Sequence, residues 1–312
     1  MEKKNVSSIT TVHLLGFQTP HNITIFIFLL FIMIYCVTIC GNVLIITLVS
    51  FSESLQSPMY FFLSQLSVTD ILLSTDILPN MLHVKETTIS FSDCMSQFYF
   101  FCVLETSECL LLTLMCYDRY LAICKPLHYN VTMNTQFCWV MIITCWVFSF
   151  LLVLVLPLTI SQLKFCGPNI VDHFFCDLYP ILQLSCSDTT NILLQVTLLD
   201  FIFGVIPFFI IIVSYVYIII TIFKIPTVTG RQKVFSTCSS HFIVVGIYYG
   251  ALISVYLVPS IGQTWNIGKF LSLMYTVVTP LVNPIIYNLR NKDLKKAAAK
   301  ITINCLNWHF SK

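Results

Sequence analysis

Residues 201–223 read FIFGVIPFFIIIVSYVYIIITIF, twenty-three positions without one Asp, Glu, Lys or Arg. A helix crosses the hydrocarbon core of a bilayer with about 20 predominantly apolar residues, and this stretch exceeds that. Outward from it lie four more charge-free stretches, Asn5–Ser52, Pro126–Leu163, Val234–Gly268 and Phe270–Leu289. The 312-residue chain is 57% hydrophobic and only 10% charged, against roughly 25% charged in soluble proteins. Its 16 Lys and Arg and 14 Asp and Glu cannot coat soluble domains of this size. The net charge of +2 argues against a nucleic-acid partner. No Gly-rich phosphate loop or zinc-type Cys/His spacing appears, so no cofactor or metal is expected. The composition is that of a polytopic helical membrane protein.

Five spans follow directly: Ile23–Val49, Phe137–Leu158, Ile192–Phe223, Val234–Val258 and Phe270–Leu289. Two further segments carry charges, Met59–Leu82 with Asp70 and Asp76, and Met95–Ile123 with Glu105, Glu108, Asp118 and Arg119. A central charge costs about 3 kcal/mol on insertion, and the apolar remainder of each segment offsets that. The expectation is therefore an all-α bundle of seven spans forming one domain over 1–312, with tails 1–22 and 290–312. About Thr159–Asn191 is the only long loop.

Lys and Arg accumulate in cytosolic loops. With the N-terminus outside, Lys3, Lys4, Lys85, Lys164 and Lys269 face out. Arg119, Lys125, Lys224, Arg231, Lys233, Arg290, Lys292, Lys295, Lys296, Lys300 and Lys312 face in. That asymmetry places the N-terminus outside. No apolar stretch of signal-peptide type precedes Ile23, so the first span is expected to target the chain. Of the sequons, Asn5-Val6-Ser7 is the better glycan acceptor, Asn22-Ile23-Thr24 sits nearly in the bilayer, and Asn130-Val131-Thr132 faces the cytosol. Four of the 14 cysteines, Cys94, Cys166, Cys176 and Cys186, fall in outer loops. Four allow three pairings, and their even number agrees with seven spans.

Ionisable residues within spans are costly and usually functional. Near mid-membrane lie Asn42, Asp70, Glu108 and Asn283, the last before Pro284, which frees a helical carbonyl. This set reads either as an ion- or proton-binding hub or as a static network with one carboxyl protonated. At the inner end, Asp118, Arg119 and Tyr120 meet Tyr215 and Tyr287; charge alone fits a conformational latch or a snorkelling arginine. In the outer half, Phe101, Glu105, Glu108 and Leu112 share one helix face, and Asp200 lies at a depth similar to Glu105. The two carboxyls either hold protons or reach water, or they attract a cationic ligand such as an amine. Tyr248, Tyr249, Tyr256, Tyr275 and Thr276 sit at compatible depth. After the last span, Leu294, Ala298 and Ile301 share one face of a short amphipathic helix. Lys295, Lys296 and Lys300 are placed to meet anionic lipid, and Cys305 is a palmitoylation candidate.

Several motifs then combine. Gly41-Asn42 stands in the first span and PMYFFLSQLS, residues 58–67, leads to Asp70 in the second. MCYDRYLAICKPL ends the third over 115–127, Ser214-Tyr215 closes the fifth, FSTCSSH opens the sixth over 235–241, and PLVNPIIYNLRN ends the seventh over 280–291. In this combination the chain resembles the rhodopsin-like G-protein-coupled receptors, and within them the tetrapod odorant receptors, from about Leu15 to Lys300. The resemblance implies Cys94–Cys176 and Cys166–Cys186 bridges. It implies a cytosolic switch built on Asp118, Arg119, Tyr120, Tyr215, Asn283, Pro284 and Tyr287, coupled to a stimulatory G protein and cAMP. It further implies an odorant site in the outer half around Phe101, Cys102, Glu105, Thr106, Asp200, Phe203, Tyr249, Leu252, Tyr256 and Thr276. Glu108 matches an acidic position common in these receptors, whereas Glu105 and Asp200 lie outside the shared signature. Residence in the plasma membrane of olfactory cilia and no enzymatic activity are implied too. A receptor for a non-odorant ligand is the alternative within the class. An ion-coupled transporter would show repeat symmetry, and none is present.

Overall fold

The computed structural model describes residues 9–17, 20–82, 87–166, 168–257 and 265–300, apart from the side chains of 21–22, 233, 237, 255–257 and 265–267. Asn5, Lys3, Lys4, Lys85, Cys305, Ile301 and Lys312, and the side chains of Asn22, Lys233 and Tyr256, lie outside the described residues. The spanning helices are α1 (His21–Phe51), α2 (Pro58–Leu82), α3 (Phe91–Cys124), α5 (Thr135–Val153), α9 (Ile206–Lys224), α10 (Val228–Leu257) and α12 (Thr279–Arg290). Short helices join or extend them: α4 (Pro126–Thr132), α6 (Val155–Ile160), α7 (Leu178–Leu182), α8 (Thr190–Asp200), α11 (Trp265–Leu273) and α13 over 292–300. Among the described residues, six runs are long and apolar enough to cross a membrane. In α10 the segments Val228–Ser236 and Cys238–Ser254, 43° apart, make the seventh.

The opening stretch shows why a bundle forms. Along α9, Ile211, Tyr215, Ile218 and Ile222 are buried, the i, i+4, i+7, i+11 rhythm of one helix face. Phe209, Ile212, Val213, Val216, Ile219, Ile220 and Phe223 are exposed. The apolar exterior belongs against lipid, since helices satisfy their own backbone groups there. At Gly41 an added Cβ would lie 3.0 Å from Pro284 Cβ, so α1 and α12 approach this closely because position 41 lacks a side chain.

Prolines set the breaks. Pro157 has no N–H for the Val153 carbonyl, and α5 ends at Val153 before α6 resumes. Two π-helical turns, Phe201–Val205 and Met274–Val278, each end two residues before a proline, Pro207 or Pro280. Both widen the helix locally and leave carbonyls for side chains to satisfy. The third helix begins at Phe91, earlier than the expected Met95, because Ser90 caps it by accepting the Asp93 N–H at 3.0 Å.

One end of the bundle, here the upper end, carries an element that the all-α expectation missed. Strands β1 (Thr11–Leu14), β2 (Thr87–Ser90) and β3 (Ile170–Val171) form a sheet of order β2-β1-β3, antiparallel for β1/β2 and parallel for β1/β3. Val12 and Leu14 are buried while Thr11 and His13 are not, the two-residue alternation of a strand. The expected outer tail is thus paired into the structure from Thr11. At the opposite, lower end, α13 packs on the bundle, and Leu294 of its apolar face is buried in the bundle core. Its lysines 292, 295, 296 and 300 remain exposed.

Candidate functional site

At the lower end, Arg119 is held by its neighbour. Nε and Nη2 donate to Asp118 Oδ2 at 3.0 and 2.5 Å. Tyr129 on α4 donates to Asp118 Oδ1 at 2.8 Å. Burial, then the Asp118 charge, push the Tyr129 phenol above its usual range, so it stays an O–H donor. Tyr215 does not bond Arg119; its hydroxyl pairs with His241 Nδ1 at 2.6 Å, and His241 Nε2 lies 3.2 Å from the Leu112 carbonyl. The Tyr287 hydroxyl is buried without a hydrogen-bond partner among the described residues. Tyr120 rests against Tyr217 and under Lys125. The latch components are neighbours, but each is parked separately.

At mid-depth, Asn283 Nδ2 faces three acceptors: Asp70 Oδ1 at 3.1 Å, Asp70 Oδ2 at 3.3 Å and Glu108 Oε1 at 3.2 Å. Asp70 and Glu108 are wholly buried. Two carboxyls on one amide, with no described Lys or Arg in contact, form a site that must share a proton or a cation. Asn42 does not join this contact. It donates to Thr38 O at 3.1 Å and to Pro280 O at 3.4 Å. The latter carbonyl is the one that Pro284 leaves without a helical donor.

The upper half gathers most of the remaining candidates. Phe101 packs edge-on to Phe175 at 5.1 Å and lies 6.0 Å from Tyr275. Tyr248 donates towards Glu105, 3.2 Å from its carbonyl and 3.4 Å from Oε2. The Cys109 thiol donates to Phe203 O at 2.6 Å and lies 3.0 Å from the Tyr249 hydroxyl; Pro207 has deprived that carbonyl of its helical N–H. Cys102, Thr106 and Leu252 are half-buried, and Asp200 lies within electrostatic reach of Cys102. Thr276 donates its hydroxyl to Ser272 O at 2.6 Å, so its one side-chain proton is already engaged within its own helix.

A lid closes the upper end. Cys94–Cys176 ties α3 to the long loop and Cys166–Cys186 closes the loop on itself. Phe17 stacks on Phe174 at 5.3 Å, and His173 packs against Phe174 and Phe175. Lys269, 7% exposed, donates to Asp172 Oδ1 at 2.6 Å and to Gly16 O at 2.9 Å. Gly16 has a φ of 60°, a turn that Gly adopts without strain.

A profile of the olfactory receptor family matches residues 31–305. Human olfactory receptor 11L1 is 45% identical over 305 residues, covering 96% of this chain and 94% of that protein. The chain belongs to the olfactory receptor family. Mouse olfactory receptor 1M1 is 43% identical over 304 residues, with 96% and 97% covered. The crystal structure of squid rhodopsin superposes with a TM-score of 0.72 at 17% identity, over 93% of this chain and 88% of that one. The receptor thus has the rhodopsin-like fold. It is a multi-pass membrane protein of an odorant-receptor family, not an enzyme, with a small ligand and a G protein as its partners.

Several residues of this olfactory receptor's polar framework carried no assigned role in the sequence reading. His241 stood inside a quoted motif, but its partner is 26 positions away. Tyr129 sits in a loop helix, and Lys269 counted only as a topological charge. Gln97 gave no signal at all, yet it bridges Asp76 O and Cys176 N.

Proposed function

We propose that this olfactory receptor binds a small odorant in the upper half of the bundle, the extracellular side, and activates a stimulatory heterotrimeric G protein that raises cAMP. Sheet and lid face outward, Asn5 carries a glycan, and the basic lower end with α13 meets the cytosol and anionic lipid in the ciliary plasma membrane. Phe101, Cys102, Glu105, Thr106, Asp200, Phe203, Tyr249, Leu252 and Thr276 line the odorant site. Glu105 and Asp200 attract an amine.

The parked switch is the observation that carries this reading. Arg119 is neutralised by Asp118 while Tyr215 is tied to His241 and the Tyr287 hydroxyl has no hydrogen-bond partner among the described residues. A state with its acceptors stored apart is one from which a swing of α10, carrying His241, frees Tyr215. An agonist drives that swing by binding the open state better than the closed one. A small odorant makes few contacts, so micromolar affinity, about −8 kcal/mol, is expected. The exposed apolar Leu127 and Val131 of α4 offer the docking partner a foothold beside Arg119.

The test is a cAMP assay in cells that express the receptor with an olfactory-type stimulatory G protein, screened against amines, acids, aldehydes and alcohols. A dose-dependent rise that Arg119→Ala removes at equal surface density supports the reading. Agonist responses that survive this substitution refute the latch.

A further inference from the structure

Three carboxyls in the upper half stand without a cation. Asp76 on α2, Glu105 on α3 and Asp177 at the start of α7 form no ion pair among the described residues, and Lys269 at the same end is engaged by Asp172. Oδ2 of Asp76 and Oε1 of Glu105 are buried and accept no hydrogen bond among the described residues. All three acids, together with Asp200 of α8, act electrostatically on one group, the Cys102 thiol of α3. They are nevertheless not gathered tightly: among the described residues no three His, Cys, Asp or Glu groups are placed to hold a metal ion. A single compact cation does not fit them.

Their arrangement is layered. Gln97, Phe101 and Glu105 lie at i, i+4 and i+8 on one face of α3. Gln97 marks the upper acidic level, since Nε2 donates to the Asp76 carbonyl at 2.8 Å and Oε1 accepts the N–H of Cys176, the residue before Asp177, at 3.1 Å. One turn below, the Phe101 ring meets Phe175 and Tyr275. One turn further comes Glu105. The sequence of levels is acid, aromatic belt, acid, and the two ends are roughly 12 Å apart along the helix axis.

We propose that this layer is a site for a linear diamine, with one ammonium at Asp76 and Asp177, the other at Glu105, and the methylene chain across Phe101 and Tyr275. The proposal rests on the reading that the upper half takes an amine and adds the second charge. A buried carboxylate without a partner is costly. A monoamine satisfies one level, a neutral odorant neither, and a diamine both. Allowing about 2.8 Å for each charge-assisted hydrogen bond, a chain of roughly four to six carbons bridges the levels.

The purified receptor in lipid nanodiscs is titrated calorimetrically with 1,5-diaminopentane, 1-aminopentane and pentan-1-ol, and the same compounds are run in the cAMP assay. The diamine is expected to bind at least about tenfold tighter than the monoamine, the size of one charge-assisted hydrogen bond. Glu105→Gln and Asp76→Asn are each expected to reduce the diamine to the monoamine's affinity. If Asp76→Asn fails to fold, Asp177→Asn tests the same level. Equal affinity for diamine and monoamine overturns the proposal and leaves the amine reading standing, whereas absence of binding by both overturns the two together. Tight diamine binding without a cAMP rise upholds the site and refutes only the signalling assignment.

Discussion

At the upper end, two disulfides, a three-stranded sheet and the half-buried Lys269–Asp172 pair tie the N-terminal segment, the long loop and α11 to one another. At the lower end, the polar ties between elements are individual side-chain hydrogen bonds, among them Tyr215 to His241, Tyr129 to Asp118, Cys124 to Thr221, and Tyr60 to Asn291 and Asp293. A covalent bridge across 82 residues contributes about 4 kcal/mol by restricting the unfolded chain, whereas a neutral hydrogen bond contributes about 1 kcal/mol. On the proposed function, the difference places rigidity where the ligand is recognised and low barriers where the helices part. Between them, Asp70, Glu108 and Asn283 couple α2, α3 and α12 at the depth where the two regimes meet.

The upper regime breaks most severely at its bridge. Cys94→Ser or Cys176→Ser is expected to abolish surface expression, read by antibody labelling of intact cells against total receptor; normal surface levels would show that the sheet and ion pair hold the lid unaided. The lower regime breaks most severely at Arg119. Arg119→Ala is expected to remove agonist-driven cAMP entirely while surface labelling stays measurable. Opposite signatures, lost delivery above and lost output below, would sharpen the contrast.

The ionic clasp comes next in size. Lys269→Met leaves Asp172, itself partly exposed to water, facing an apolar side chain, and losing this half-buried pair costs about 2 kcal/mol. A fall in the Tm of the purified receptor is expected, with most of it regained in Lys269→Met/Asp172→Leu. A single mutant with unchanged Tm would mean that the clasp is satisfied by water and adds nothing to the lid. Smaller still is the lower tie. His241→Phe frees Tyr215, and the loss of about 1 kcal/mol from the closed state should raise basal cAMP by about fivefold; unchanged basal output would remove His241 from the switch.

The spanning segments were legible because their signal is local: twenty or more apolar positions announce a span whatever the rest of the chain does. The mid-membrane set was legible too, by depth alone, and Asp70, Glu108 and Asn283 do meet. What stayed hidden depends on partners far apart in sequence. Thr11–Leu14 is four residues long, too short for alternation to stand out, and exists as a strand only because residues 87–90 and 170–171 flank it. Lys269 and Asp172 are 97 positions apart, and nothing near either marks it as paired. The π-helical turns follow from Pro207 and Pro280, yet whether a proline kinks, breaks or widens a helix depends on what can satisfy the freed carbonyl. For Phe203 that is Cys109 of another helix.

The finest probe of the upper regime is pH, through two neighbours in the lid with opposite slopes. Burial, then the Lys269 charge, push His173 down to about 3. Burial pushes Asp177 up to about 6, against the Leu178 N–H that it caps. As pH falls below about 6.5, the unfolded chain takes up a proton at His173 that the folded lid refuses, so stability is lost down to about pH 3. Between about pH 6 and 3.8 the folded lid holds a proton on Asp177 that the unfolded chain has released, so stability is gained as pH falls. The two contributions oppose one another over most of this range, and the Tm of the parent receptor should change little from pH 6 to 4. Asp177→Asn leaves His173 alone and should become steadily less stable on acidification. His173→Phe leaves Asp177 alone and should become more stable. If both variants slope the same way, the groups that titrate are not these two, and the lid's burial of His173 is not what keeps it neutral.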